Sequence, residues 1–478
     1  MMQKSLKINF IMNFILTVSG ILFPLVTFPY ISRILGPLGT GNVAMSSSLI
    51  TYFTMVAMLG VPTYGVRCCA QVRDNKEELS KVVQELLIIN LIMSIVAYLA
   101  LFITIFLVPE FYAMKTLYII TSSAIALNVI GVNWFYQGIE EYSYITIASM
   151  IFKFLAFVLM FVFVKNSNDY VLYAGVSVIG SFGSGAINFI RLKKYIRIKP
   201  IKNYNLKRHF KPIFTFFAMT VATTIYTNLD IVMLGVIKDN YEVGLYNSAV
   251  KIKSIMATLI SSLGVVMLPR LSYYFEEGKT KELNSLIIRS LSFVILLSVP
   301  CCLFLMVYAK DTILFIAGSQ FVEASSTIIT ITPTIVFIGL SNLMGMQILV
   351  PTGREKLVLK SVIYGAIVDF LLNLLLIPKL GSLGAAVGTL NAELVVVIIQ
   401  FWYLKDLIKV IIKKIEFKCL IISILPALLV LIILCSHVDI NPFINLLIGG
   451  ISFFTIYVVG LIMTKEVILT SLLQKYIR

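Results

Sequence analysis

The sequence predicts an all-α integral membrane protein of about 14 transmembrane helices, in two six-helix lobes that are parallel repeats, followed by two C-terminal helices. Composition is the first reason. Of 478 residues, 59% are hydrophobic and 13% charged, and the mean hydropathy is +0.96, whereas a soluble chain is about 45–50% apolar and about 25% charged. The second is that apolar blocks long enough to cross about 30 Å of hydrocarbon recur from one end to the other. The third is the placement of Lys and Arg. With the N-terminus cytoplasmic, the inside segments with their adjoining span ends hold 30 of the 39 basic residues, and the outside segments with theirs hold 6. A missed span would invert every later loop and erase that bias. Both termini are therefore read as cytoplasmic in a bacterial cell membrane.

The spans fall at 8–35, 42–61, 84–108, 116–137, 142–164, 170–190, 212–236, 246–268, 286–308, 324–350, 355–377, 383–404, 417–435 and 442–463. The first follows Lys4 and Lys7 but runs far beyond a signal-peptide apolar core, so it is a retained span. Pro24 and Pro29 lie inside it, where a missing backbone donor should bend the helix and suit it to gating. Asp311 to Gln320, between spans nine and ten, reads as a short segment near the outer interface. The largest polar interruption, Arg191 to Lys211, holds nine basic residues. It divides the chain into a lobe over 1–190, a basic cytoplasmic linker over 191–211, a lobe over 212–404 and a helix pair over 405–478. Six spans per lobe return the chain to the side it started from, which makes the lobes parallel repeats about an axis along the membrane normal. Ile34-Leu35-Gly36 after span one is echoed by Met233-Leu234-Gly235 after span seven.

The formal charge of +16 sits in short clusters between apolar spans. Such clusters orient a membrane protein and meet anionic lipid headgroups, and they lack the continuous patch of a nucleic-acid binder. Cys68, Cys69, Cys301, Cys302, Cys419 and Cys435 form no CxxC pair and read as small apolar residues in helices. His209 and His437 have no ligand partner nearby in sequence. No nucleophile–base pair, metal cluster or phosphate-cradling loop is present, so no enzyme and no cofactor is expected. The outside loops are too short to fold, so the substrate is handled within the bundle.

Charge kept at mid-membrane costs roughly 2.5–3.5 kcal/mol and normally faces a cavity or a partner. Lys153 lies near the middle of span five, and Asp369 and Glu393 near the middle of spans eleven and twelve. Asp230 is in the outer part of span seven, and Lys251 and Lys253 open span eight. Arg33 ends span one on the outside, and Arg67 follows span two on the inside. The structural reading makes Asp230 with Lys251 or Lys253 an ion pair that only holds helices together. It lets Arg33 and Arg67 snorkel to headgroups, and sets Asp369 and Glu393 against polar neighbours such as Asn373 and Asn391. The functional reading lines an aqueous cavity with Arg33, Arg67, Lys153 and Lys251 for a polyanionic headgroup. Asp230, Asp369 and Glu393 would then bind a coupling H+ or Na+.

An ordered set of segments resembles the polysaccharide-transport, or Wzx-like, flippases of the multidrug/oligosaccharidyl-lipid/polysaccharide (MOP) superfamily. It comprises Phe23-Pro24 through Phe28-Pro29-Tyr30-Ile31-Ser32-Arg33-Ile34-Leu35-Gly36-Pro37, Leu59-Gly60-Val61-Pro62-Thr63-Tyr64-Gly65-Val66-Arg67 and Asn133-Trp134-Phe135-Tyr136-Gln137-Gly138-Ile139-Glu140. Leu268-Pro269-Arg270, Gln347 to Arg354 and Gly381-Ser382-Leu383-Gly384-Ala385-Ala386 complete it. The resemblance runs from the first span through the twelfth. It implies 14 helices in two lobes about a central cavity, and transfer of an undecaprenyl-diphosphate-linked oligosaccharide from inner to outer leaflet for capsule, exopolysaccharide or related envelope synthesis. It further implies ion coupling, diphosphate-binding cations of which Arg33 and Arg67 match by motif position, and a polysaccharide polymerase and glycosyltransferases as partners. One departure is Asp369, which stands where such relatives more often have Asn.

The mechanism expected is alternating access, with the headgroup in a hydrated cavity and the polyprenyl tail in lipid. Two alternatives stay open: a cation-coupled multidrug exporter on the same scaffold, and a membrane-embedded polysaccharide polymerase or ligase.

Overall fold

A computed structural model describes residues 6–197, 199–201, 203–412, 414, 417–437, 441–466 and 470. The chain termini, read above as cytoplasmic, lie outside the described residues. Most of the described residues are helical, none of them lies in a strand, and every expected span is a helix. Two compact units emerge, Met1–Val232 and Met233–Arg478.

In the first unit, helix α1 (Leu6–Met58) carries expected spans one and two in one run. It contains Pro24, Pro29 and Pro37, and its non-helical residue is Gly36, at φ 64° and ψ −176°. Glycine alone adopts that region readily, and Pro37 next to it suits the opening of a helix. The run ends at two left-handed residues, Leu59 (φ 44°) and Gly60 (φ 76°), and α2 (Val61–Val72) follows with Pro62 in its first turn. Asn75 caps α3 (Lys76–Leu107), its side chain accepting from the amides of Glu77 and Glu78. After the short α4 (Pro109–Ala113), α5 (Lys115–Gly131) and α6 (Asn133–Gly138) form span four, jointed at Val132. Then come α7 (Tyr142–Phe163), α8 (Tyr170–Phe182) with α9 (Ser184–Leu192), and α10 (Lys207–Ile237).

The second unit continues with α11 (Asn240–Glu276), α12 (Thr280–Val307) and α13 (Ala309–Ile316), the last being the short segment expected before span ten. Span ten is α14 (Ala324–Ile331), α15 (Thr334–Asn342) and a π-helical turn, Leu343–Leu349. The chain closes with α16 (Glu355–Leu380), α17 (Ser382–Tyr403), the short α18 (Lys405–Ile412), α19 (Phe417–His437) and α20 (Pro442–Met463).

Twelve runs among the described residues are long and apolar enough to cross a membrane. One of them, Ile11–Val72, holds two expected spans, and α11 accounts for the remaining one. Large apolar side chains point outward on these helices, among them Phe154, Leu107 and Met463, as a lipid solvent allows. The chain is a multi-span membrane protein.

Helices surrounded by lipid associate through close packing and polar contacts rather than hydrophobic expulsion, so small residues mark their interfaces. A Cβ on Gly65 of α2 would lie 2.5 Å from the Trp134 ring on α6, and one on Gly138 of α6 would lie 2.6 Å from Cys69 Cβ on α2. Two of the sequence segments that carry the family resemblance therefore face each other, each notched to admit the other. Arg73 Nη1 and Glu140 Oε1 close the same interface at 2.6 Å. The six cysteines are free thiols.

Candidate functional site

The first unit sets cations along α1. Lys153 on α7 is half-buried, and its Nζ donates to Ser19 Oγ at 2.8 Å. A Cβ added at Gly20 would lie 4.0 Å from the same ammonium. Lys153 is thus held against the early part of α1. Arg33 lies fourteen residues beyond Ser19 in the sequence, about 21 Å along a helix at 1.5 Å per residue. It is exposed, and its Nη1 donates to the Pro29 carbonyl at 2.7 Å. That bond lays the guanidinium along its own helix.

Arg67 is exposed on α2. Between Arg33 and Arg67 stands the second part of α1, from Pro37 to Met58, on the order of 33 Å of helix. The two arginines therefore mark opposite ends of a span and do not meet on one phosphate.

Next to α2 is a polar knot that sequence reasoning did not assemble. Glu85 on α3 is fully buried. Its carboxylate accepts from the Asn205 amide (2.7 Å), from Arg208 Nη2 (2.6 Å) and from His209 Nε2 (2.8 Å). The other ring nitrogen of His209, Nδ1, is 2.9 Å from the Tyr64 hydroxyl. A neutral ring that donates at Nε2 accepts the Tyr64 proton at Nδ1, which satisfies both partners. Below it, Gly60 lets α10 press close, since a Cβ there would sit 2.6 Å from Phe217 N and 2.8 Å from Ile213 O. The basic linker and the start of α10 are anchored to α2 and α3 by this set. Asp230, further along α10, is buried.

In the second unit the acidic candidates sit inside helix contacts. Asp369 and Asn373, one turn apart on α16, are buried facing Gly388 of α17. A Cβ on Gly388 would fall on Asn373 Oδ1 and lie 3.0 Å from Asp369 Oδ1. The neighbouring Thr389 Oγ1 shares a 2.7 Å hydrogen bond with Tyr246 OH on α11. Glu393, one turn on, is also buried. Polar side chains thus form a band through α11, α16 and α17, as groups with conformational or ion-binding roles do within a membrane. Lys251 and Lys253 are half-buried on α11. Sequence reasoning also missed Glu242, whose Oε2 accepts from the Ser382 amide at 2.7 Å. A carboxylate there caps the N-terminus of α17, and left-handed Gly381 (φ 55°) makes room for it. The Gly381-Ser382 pair in the sequence was the available signal.

Among the described residues no group of three or more His, Cys, Asp or Glu is placed to hold a metal ion.

The profile described as "Polysaccharide biosynthesis protein" matches residues 6–275, and the MatE profile matches residues 216–375. A protein assigned as an O-antigen transporter in Shigella dysenteriae is 25% identical over 396 residues, 82% of this chain and 98% of that protein. Its counterpart in Escherichia coli strain K12 is 24% identical over 84% of this chain and 98% of its own length. Among solved structures, the lipid II flippase MurJ in an inward closed conformation superposes with a TM-score of 0.72 at 17% identity, covering 96% of this chain and 99% of its own. An inward-facing multidrug resistance MATE family transporter of the MOP superfamily gives a TM-score of 0.63 at 15% identity, over 83% and 96%. The last two show a shared fold.

Proposed function

Because the chain belongs to the Polysaccharide biosynthesis protein family, we propose that it is a flippase for lipid-linked oligosaccharides within the MOP superfamily. In this reading it carries undecaprenyl-diphosphate-linked repeat units from the inner to the outer leaflet of a bacterial cytoplasmic membrane, with both termini cytoplasmic. The polymer built from them is a capsule, exopolysaccharide or O-antigen-like glycan, with glycosyltransferases acting before the flippase and a polymerase after it. Transport here is movement without covalent chemistry.

The observation that carries the reading is the cation on α7 held against α1. An ammonium kept in an apolar span at a cost of a few kcal/mol is a reason to bring an anion there. Lys153 would meet the diphosphate partway across, with Arg67 and Arg33 meeting it at the two ends of the path in different states. Lys251 would add a fourth positive charge. Asp230, Asp369 and Glu393 would take up and release H+ or Na+, and Pro24 and Pro29 would let α1 bend as access alternates. Reconstituted flipping of defined lipid-linked oligosaccharides tests this. Arg33→Ala and Arg67→Ala should each abolish transport in protein that inserts and melts normally; normal transport in both would remove them from the path.

The MatE match over residues 216–375 favours one second reading, a cation-coupled drug exporter. It requires cationic substrates, so drug susceptibility of expressing cells separates the two.

A further inference from the structure

Between α7 and α9 of the first unit lies a groove of about 400 Å³, lined by Glu141, Tyr144, Ile147, Ile151, Ile187 and Arg191. Its chemistry changes along its length. Ile147, Ile151 and Ile187 are each about half exposed and make an apolar trough on two spanning helices. Arg191 stands at one end, in the last turn of α9. Its guanidinium lies 3.8 Å from the centre of the Tyr144 ring, and its Nη2 donates to Tyr195 OH at 3.2 Å. Stacking and that bond fix the plane of the group, which prepares it for an oxyanion. Its Nε is buried and has no hydrogen-bond partner among the described residues. Arginine placed where a span ends lies at headgroup depth.

We propose that this groove binds one phosphatidylethanolamine molecule, with the lipid phosphate on Arg191, the ammonium toward Glu141 and an acyl chain along Ile147, Ile151 and Ile187. Charge complementarity selects the occupant. The mouth offers one cation and one carboxylate, which matches a zwitterionic headgroup better than an anionic one, and the trough matches a hydrocarbon chain and no polar polymer. Lys153, on the same helix, is turned to Ser19 of α1 and belongs to a different surface, so the groove is separate from the proposed transport path. Bound there, the lipid bridges two helices that form adjacent spans of the first unit.

Native mass spectrometry of the full-length protein in mild detergent, titrated with phosphatidylethanolamine or phosphatidylglycerol, tests this. Wild type should retain one phosphatidylethanolamine, and Arg191→Gln should weaken that binding about tenfold or more, as loss of a charge-assisted hydrogen bond does. Glu141→Gln should shift preference toward phosphatidylglycerol, and Ile151→Trp, which fills the trough, should displace both lipids. Arg354→Gln removes an exposed arginine in the second unit and should leave binding unchanged. The proposal is overturned if Arg191→Gln and Ile151→Trp both bind phosphatidylethanolamine as wild type does, or if Arg354→Gln weakens it as much as Arg191→Gln. Should Arg191→Gln fail to fold, Ile151→Trp decides alone. Binding is read without transport, so the flippase reading and this one can fail separately.

Discussion

Glu85 and His209 are 124 residues apart in the chain and 2.8 Å apart in the fold, Oε2 to Nε2, both almost wholly buried. The contact closes a circuit from α3 through the basic linker to Tyr64 on α2. Removing one member of a buried charged set leaves the others without a partner, which costs on the order of 3–5 kcal/mol. Glu85→Ala should therefore lower the melting temperature in detergent sharply and reduce membrane abundance, with Glu85→Gln intermediate because it retains an acceptor. A wild-type melting curve for Glu85→Ala would show that the knot does not hold the linker.

Gly60 and Gly353 have similar left-handed backbones, φ 76° and 72°, and different surroundings. An added methyl meets the backbone of Phe217 and Ile213 at Gly60 and nothing within 4 Å at Gly353. Gly353→Ala should cost only the conformational strain, about 1–2 kcal/mol. Gly60→Ala adds a clash with main chain that cannot rotate away, and should be the more destabilising by melting temperature. Equal losses would place α10 further from α2 than described.

Gly388→Ala should separate α16 from α17, because the methyl falls on Asn373 Oδ1. Shortening the obstructing side chain gives the check: Gly388→Ala with Asn373→Ala should recover stability relative to Gly388→Ala alone. Additive losses would mean that the two residues do not touch.

Lys153 and Ser19 separate charge from orientation. Lys153→Met should lower flipping at least tenfold while the protein remains folded, and Ser19→Ala, which removes one hydrogen bond to a charged group worth about 1.5–3 kcal/mol, should lower it less. Lys153→Arg should keep part of the rate. If Lys153→Met flips as wild type, the cation is structural.

Asp369→Asn tests coupling. An ion gradient should accelerate wild-type flipping, and the substitution should abolish that response while leaving downhill transfer in place. A preserved gradient response would move coupling to Asp230 or Glu393.

Much of the fold was legible because lipid imposes length and charge asymmetry on a chain. Runs such as 84–108 and 442–463 can be read from hydropathy, and the spacing of Lys and Arg carries the loops between them. The shape of the ends is a different matter. That Leu59 and Gly60 turn left-handed, or that spans four, six and ten are each built from two or three helical pieces, depends on local backbone choices that hydropathy averages away. Lys153 stood out as a charge in an apolar run, and its acceptor Ser19 lies 134 residues earlier. Nothing in the sequence around Glu85 marks it out. Its partners arrive from a linker more than a hundred residues later, and no periodicity links positions that far apart. The glycine segments were visible as motifs, but Gly65 and Gly138 explain themselves only once Trp134 and Cys69 are seen against them.

A single residue, Gly36, joins the first half of α1 to the second. Thr40 Oγ1 donates to its carbonyl at 2.8 Å, and Gly39 tucks within 2.9 Å of Leu35 Cβ at its absent Cβ. A connection that short has no slack to absorb displacement. Torque applied to the segment bearing Arg33 must be handed to the segment that ends at Gly60, so the two spans behave as one crank rather than as two rods on a string.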